Sequence, residues 1–337
     1  MKVAINGFGR IGRLVFRIME EEYPNLEVIA INDLTEPEQL AYLLKYDTNH
    51  RNYKVDKIKY DENNIIVDGR KIPIYKEMDP NNLPWKELGV DLVFECTGHF
   101  TTYDKALSHI NAGARHVIVS APCKGNVKTI VYNVNQNILD GNEDVISAAS
   151  CTTNCLAPVL NIIEKNIGIE AGYMTTVHAY TNDQVTLDAA HKKGINARRG
   201  RACAANIVPT STGAASAIGE VIPSLKGKMK GLAMRVPVVD GSVVDLVLKL
   251  KKKATASEIN ELIKNNQNET IMITDDPIVS SDVIGSSYGS VVDGLSTDVL
   301  DVDGNELVKV ISWYDNEMGY SYQMVRTASY FANNFKK

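Results

Sequence analysis

A cysteine set among small and hydroxyl residues stands in the run Ala149-Ser150-Cys151-Thr152-Thr153-Asn154-Cys155, where a strand-like segment gives way to a helical one. The thiolate is the nucleophilic form of cysteine, and the first turn of a helix favours an anion. His178, in Thr175-Thr176-Val177-His178-Ala179-Tyr180, is the candidate base among six histidines, provided the fold brings it to the sulfur. Cys155, one turn further on, reads as a small buried residue, and Pro158 is tolerable because it falls near the first turns. A nucleophilic thiol working with a redox dinucleotide would oxidise an aldehyde through a thioester.

The dinucleotide half of that chemistry is at the N-terminus. Gly7-Phe8-Gly9-Arg10-Ile11-Gly12 follows a strand pattern and opens a helical one, and a second strand ends at Asn32-Asp33, with Asp33 21 residues after Gly12. In that context Gly7 makes the tight turn, Gly9 lets backbone approach a pyrophosphate, and Gly12 lets helix and strand pack closely. The helix N-terminus supplies amides to the phosphates. Asp33 would accept from the adenosine ribose and repel a 2′-phosphate, which favours NAD over NADP.

Anion-binding residue types follow. Ser150 and Thr152 flank the thiol, and Thr181 lies three residues after His178. Pro209-Thr210-Ser211-Thr212-Gly213 reads as a hydroxyl-rich turn, Arg198, Arg199 and Arg201 sit in a long polar loop, and Arg235 is in a strand-like run. Hydroxyls, glycine amides and guanidinium groups together suit phosphate. The basic stretch Lys192-Lys193 through Arg201 also raises nucleic-acid binding, which the lack of interleaved aromatics and a net charge of -5 disfavour.

The elements that must hold these groups are legible as patterns. Strand-like Val3–Ile5, Glu27–Asn32, Val90–Glu95, His116–Ser120, Thr129–Tyr132 and Asp144–Ser147 alternate with helical Ile11–Glu21 and Thr102–Asn111. That alternation predicts an α/β Rossmann domain, a doubly wound and mostly parallel sheet, with an antiparallel excursion at Tyr53–Tyr75. After Cys151, strand-like Tyr173–Tyr180, Leu232–Val236, Val243–Lys251 and Val308–Tyr314 predict an α+β catalytic domain with a large mixed or antiparallel sheet. The expected division is a dinucleotide domain over 1–150, completed by a C-terminal helix over 316–337, and a catalytic domain over 151–315 with a loop at 183–205. A helix over Ser257–Asn265 is expected to begin with a capping box at Ser257.

The 337 residues suffice for two cores, and 44% hydrophobic with 23% charged residues is ordinary for a globular chain. No signal-peptide pattern or membrane-length apolar run is present, and the five cysteines lack paired CxxC spacing. Reduced thiols in a cytoplasmic protein without a metal site are therefore expected.

Over its entire length the sequence resembles the phosphorylating glyceraldehyde-3-phosphate dehydrogenases. The matching runs are Ile5–Arg13, Ser150–Pro158, Thr175–Gln184, Ser211–Ala215, Arg235–Pro237 and Trp313–Glu317. The resemblance implies a glycolytic enzyme that oxidises glyceraldehyde 3-phosphate to 1,3-bisphosphoglycerate with NAD and inorganic phosphate. Cys151 would be the nucleophile and His178 its base. Thr181, Asp183 and Arg235 match the site for the substrate's C3 phosphate; Ser150, Thr152, Arg199, Thr212 and Gly213 match the site for the attacking phosphate. A somewhat longer loop leaves Arg198 and Arg201 as alternatives to Arg199. Arg10 and Ile11 match backbone contacts to the pyrophosphate, Thr97 and Ser120 line the dinucleotide crevice, and Asn316 matches the residue that holds the nicotinamide carboxamide. A homotetramer is implied, with the 183–205 loop at a subunit interface.

The chain departs from the family pattern in places. Met318 replaces a tryptophan, Met78 replaces an arginine near the adenine, and Ala190 replaces a loop proline near the ribose, whereas Leu34 keeps the NAD-selective type. Erythrose-4-phosphate dehydrogenase shares the thiol run, but its relatives lack the threonine pattern at Thr181 and Thr212. A surface-binding role is a further alternative.

Overall fold

A computed structural model describes residues 1–191 and 194–334; Lys192 and Lys193 of the basic stretch, and the last residues of the C-terminal helix expected over 316–337, lie outside them. The chain forms two compact units, one of Met1–Ser150 with the segment from Ser321 onward, the other of Cys151–Tyr320.

In the first unit the elements run β1 (Lys2–Asn6), α1 (Arg10–Glu22), β2 (Glu27–Asn32), α2 (Pro37–Lys45), β3 (Ile58–Tyr60), β4 (Asn64–Val67), β5 (Arg70–Tyr75), α3 (Trp85–Leu88), β6 (Leu92–Glu95), α4 (Tyr103–Asn111), β7 (His116–Val119), β8 (Lys128–Thr129) and β9 (Val145–Ser147). Among the described residues they build a nine-stranded sheet ordered β3-β4-β5-β2-β1-β6-β7-β9-β8. Its centre is parallel because each short apolar strand is followed by a crossover. The excursion at Tyr53–Tyr75 is the antiparallel pair of ladders β3–β4 and β4–β5, whose last strand returns to lie parallel to β2. α1 buries Leu14, Val15, Phe16, Ile18 and Met19, with Phe16 meeting Phe8 edge-on at 5.7 Å. The run expected to be a strand over Thr129–Tyr132 stops at Thr129: the Val131 amide turns to Asn135 Oδ1 at 2.9 Å, which ends the ladder.

The second unit contains α5 (Cys151–Asn166), β10 (Ile169–Ala179), β11 (Val208–Ser211), α6 (Ala214–Val221), β12 (Met229–Val236), β13 (Ser242–Leu250), α7 (Ala256–Lys264), β14 (Ile271–Thr274), β15 (Ser290–Val302) and β16 (Asn305–Tyr314). The last helix, α8 (Met318–Asn334), begins in this unit and continues into the first. The seven-stranded sheet is ordered β11-β12-β10-β13-β16-β15-β14 and is mixed, with β10–β12 and β14–β15 parallel. β10 carries Met174, Thr176 and His178 inward on alternate positions, the period of a half-buried strand. α7 is capped two residues earlier than expected: Thr255, not Ser257, is the cap, closing a capping box with Glu258. α5 runs through Pro158 without ending, its opposite faces buried by Leu156, Val159, Leu160 and Ile163. The 183–205 loop is folded back on itself through Val185 N to Arg199 O, Ala189 N to Gly200 O and Cys203 N to Val185 O.

No described helix is long and apolar enough to cross a membrane.

Candidate active site

Cys151 is the first residue of α5, reached through Ala149, whose φ of 58° puts an L-residue in left-handed backbone. The residue is half-buried. Cys151 Sγ lies 3.4 Å from His178 Nε2, so β10 delivers the imidazole to the sulfur that α5 presents. Helix start and strand thus bring together the two groups that the sequence could only nominate separately.

The far side of the imidazole settles its tautomer. His178 Nδ1 is 2.7 Å from the Ala179 carbonyl oxygen, an acceptor only. Arg235 Nη1, a donor with two hydrogens, lies 2.9 Å from Ala179 O, 2.9 Å from His178 Nδ1 and 3.2 Å from Thr181 Oγ1. With its hydrogens assigned to the two oxygens, His178 donates from Nδ1 and Nε2 offers its lone pair to Cys151. Burial, then the Arg235 charge, pushes the imidazole down to about 3. Burial likewise pushes the Cys151 thiol up, against Arg235 and the Thr152 hydroxyl and amide, which favour the anion. The expected low-pKa thiolate is thus opposed by desolvation, and the charges become affordable only when sulfur and imidazole ionise together.

Two groups that sequence reasoning did not single out stiffen this centre. Tyr314 OH lies 2.9 Å from both Thr152 Oγ1 and Thr176 Oγ1, and its ring meets His178 edge-on at 5.9 Å. The alternation of hydroxyl and histidine along β10 was the available signal. Cys155 is buried against Ser290 and the carbonyls of Ser312 and Trp313, as its small size suggested.

Phosphate-type residues gather on the Arg235 side. Thr181 Oγ1 donates to Asp183 Oδ1 at 2.6 Å, and Asp183 pairs with Arg199. Arg201 instead pairs with Asp188, and Arg198 is exposed, so of the three loop arginines Arg199 turns inward. Burial first and Arg235 second lower the Arg199 pKa, so two like charges are held near one another. Arg235 Nε is buried with no hydrogen-bond partner among the described residues. An orphan donor and two neighbouring guanidinium groups make a site that an anion would stabilise. Thr210 and Ser211 belong to β11 rather than to the expected turn; only Thr212 and Gly213 form it, with Thr212 Oγ1 accepting from Ala214 N at 3.2 Å at the start of α6. Ser150 closes the first unit one residue before the thiol.

The N-terminal glycines fit a dinucleotide. Gly7 has φ +89°, and a Cβ there would sit 2.8 Å from Thr97 N; a Cβ on Gly12 would overlap Gly7 O. A Cβ on Gly9 would meet nothing within 4 Å, so the loop is open there. No side chain caps α1, leaving its N-terminal amide array, including Ile11, for an anion. Arg10 turns its guanidinium to Asp47 in a bidentate pair, which holds Asp47 down at about 2 against burial. Asp33 accepts from Phe8 N at 2.7 Å and Thr35 N at 2.9 Å through different oxygens, each keeping a lone pair for a ribose hydroxyl. Thr97 and Ser120 stand just beyond β6 and β7, where such sheets bind ligands. Leu34 and Met78 are both exposed.

In the second unit Ser242 Oγ donates to Asn316 Oδ1 at 2.6 Å and accepts from Ala179 N at 3.0 Å, linking Asn316 to the strand of His178. Next to Ser242, Asp240 is buried and pushed up to about 9, chiefly by burial and then by Asp315 and Glu317. Asp315 accepts amides from Gly285, Glu317 and Met318, so the shared proton belongs on Asp240. A carboxyl that binds its proton more tightly when folded contributes stability that is complete below about pH 4 and declines as pH rises towards about 9. Asp240→Asn should therefore raise the thermal midpoint by roughly 2–6 °C at pH 8 and by less at pH 5. Equal shifts at the two pH values, read by calorimetry, would contradict the shared proton.

A doubly wound unit with a dinucleotide fingerprint, and a second unit presenting a thiol–imidazole pair beside an anion site, define a thiol-dependent dehydrogenase class. Residues 1–103 match the family model described as glyceraldehyde 3-phosphate dehydrogenase, NAD binding domain, and residues 150–316 match glyceraldehyde 3-phosphate dehydrogenase, C-terminal domain. The chain is 55% identical over 331 residues to a glyceraldehyde-3-phosphate dehydrogenase of Clostridium pasteurianum, 54% to one of Clostridium acetobutylicum and 52% to one of Streptococcus pyogenes. Each alignment covers 98% of this chain and 98% of the relative. The chain belongs to the glyceraldehyde-3-phosphate dehydrogenase family.

Proposed function

We propose that the chain oxidises glyceraldehyde 3-phosphate to 1,3-bisphosphoglycerate with NAD and inorganic phosphate, as a glycolytic enzyme of the cytoplasm. The observation that carries the chemistry is the 3.4 Å contact between Cys151 Sγ and His178 Nε2. Sγ bonds the aldehyde carbon while its proton passes to Nε2. When bound, NAD supplies the two-electron acceptor that takes the resulting hemithioacetal to a thioester. Phosphate oxygen then attacks the acyl carbon, the C–S bond breaks, and His178 returns its proton to the departing sulfur. The thioester keeps the free energy of oxidation that hydrolysis would dissipate.

Arg235, Thr181 and Asp183 are assigned to the substrate's C3 phosphate. Ser150, Thr152, Arg199, Thr212 and Gly213 are assigned to the attacking phosphate, although the Arg199–Asp183 pair also ties Arg199 to the first group. Gly7, Gly9, Arg10, Ile11, Gly12, Asp33, Thr97 and Ser120 are assigned to NAD. Asn316, with Oδ1 held by Ser242, would present its N–H groups to the nicotinamide carboxamide. The unit of 1–150 with the C-terminal helix is read as the NAD-binding domain and 151–315 as the catalytic one. A homotetramer is the expected assembly, and sedimentation velocity tests it: a monomeric species at assay concentration would refute it.

Turnover of glyceraldehyde 3-phosphate and of erythrose 4-phosphate, each with and without phosphate, tests the reaction. A strong phosphate requirement and preference for the triose are expected; acid production at the same rate without phosphate would overturn the mechanism. Asp33→Ala should weaken NAD roughly 10- to 100-fold, the worth of charge-assisted bonds to two hydroxyls, and narrow the margin over NADP. Unchanged affinities in a paired titration would remove Asp33 from the ribose site.

A further inference from the structure

A buried polar cluster of the first unit lies under the glycine turn and reaches Thr97 of the dinucleotide crevice, but neither Cys151 nor His178. Glu95, the last residue of β6, is 1% exposed. Its Oε2 accepts from Asn6 Nδ2 at 2.5 Å and lies 3.1 Å from His109 Nε2. Its Oε1 accepts from Thr97 N at 2.8 Å and from the Thr97 hydroxyl. The histidine's orientation is fixed from behind: Trp85 Nε1, a donor only, reaches His109 Nδ1 at 3.1 Å, so His109 donates from Nε2. Asn6 in turn accepts from Asn32 Nδ2 at 2.7 Å, and Asn32 grips the Glu77 backbone through both N–H (2.8 Å) and C=O (2.9 Å). Asn6, Asn32 and Glu95 are the terminal residues of β1, β2 and β6, which are neighbours in the sheet. The chain of side chains therefore crosses the carboxyl ends of three strands. β1 has β2 on one side and β6 on the other, which makes it the switch point where an open α/β sheet binds its ligand.

The geometry points to Glu95 as a positioning residue for the dinucleotide, acting through Asn6 and Thr97 rather than by contact. This rests on the NAD assignment above. All the acceptor directions of its carboxylate meet donors, so it has nothing left for a ligand. What it fixes is the spacing between the glycine turn that follows Asn6 and the Thr97 wall. That spacing is already tight, since a Cβ at Gly7 would lie 2.8 Å from Thr97 N. A surface carboxylate would do this poorly; a buried, fully bonded one holds a single arrangement.

Glu95→Gln tests it with the full-length protein. The amide keeps the shape but turns one acceptor pair into a donor facing donors. NAD titrated by calorimetry should bind about 10- to 50-fold more weakly, while kcat at saturating NAD and the KM for glyceraldehyde 3-phosphate stay within about threefold. Asn6→Ala cuts the same chain one strand along and should weaken NAD at least about fivefold, which keeps the test open if Glu95→Gln does not fold. NAD affinity within twofold of the parent in the folded variants, or a loss of kcat equal to the loss of affinity, would overturn the positioning role. A parent protein that does not bind NAD would instead defeat the functional reading itself.

Discussion

Cys151→Ser lowers phosphorylating turnover by at least about 10⁴-fold while NAD affinity stays within about twofold. The substitution is nearly isosteric, so the position at the head of α5 and the 3.4 Å approach to His178 persist. What changes is the nucleophile. A hydroxyl ionises several pK units above a thiol, and the burial that already pushes the Cys151 thiol up would raise it further. Against an O–H so much less acidic than the S–H, the same imidazole, itself disfavoured from charging by burial, yields far less of the anion. The sulfur also matters after oxidation, because an oxygen ester does not transfer its acyl group to phosphate as a thioester does. The NAD fingerprint lies in a separate unit built around β1 and α1, which is why binding should survive. Turnover above about one per cent of the parent, measured on protein free of parent enzyme, would remove Cys151 as nucleophile.

Much of this is legible in the sequence because the relevant signals are local. A glycine spacing set by close packing, as at Gly12 against Gly7, leaves the same trace in every such turn. The alternating burial of β10 and the capped or amphipathic helices were likewise visible in residue order. The long strand Ser290–Val302 carries no strand signal along its length: its outer half, 295–302, is mostly exposed and carries polar residues, and the ladder shifts between Asp293 and Asp298. The edge strand β11 resembles a turn in sequence because of Pro209 and a hydroxyl run; its pairing to β12 is a long-range fact. At the site, Cys151 and His178 could be nominated but their contact could not. The electrostatic balance was invisible, since burial opposes both charges while Arg235, 57 residues from His178 in sequence, favours the thiolate and disfavours the imidazolium. The Asp240–Asp315 pair and the Glu95 cluster are of the same kind: isolated acidic residues in sequence, made significant only by what folds over them.

His178→Asn should reduce kcat by roughly 10²- to 10⁴-fold, the usual worth of a positioned general base, and should also move the pH dependence of Cys151 alkylation upward. The second effect separates two sources of activation. Burial disfavours either charge alone, pushing the thiol up and the imidazole down. Formed together at 3.4 Å, the charges attract by on the order of 5 kcal/mol at an effective dielectric of about 20, which offsets much of that penalty without altering the net charge of the pair. Asparagine at 178 cannot take the proton, so a lone thiolate must then be carried by the α5 terminus, the Thr152 amide and Arg235. Those groups favour the anion but do not receive its proton. Removing the imidazole should therefore slow iodoacetamide modification at pH 7 by at least about tenfold and shift the profile's midpoint up by a unit or more, with Cys123 replaced beforehand to keep the signal specific. A profile that does not move would show that the helix terminus and the Arg235 charge activate the sulfur unaided, leaving His178 a role only after the aldehyde has bound.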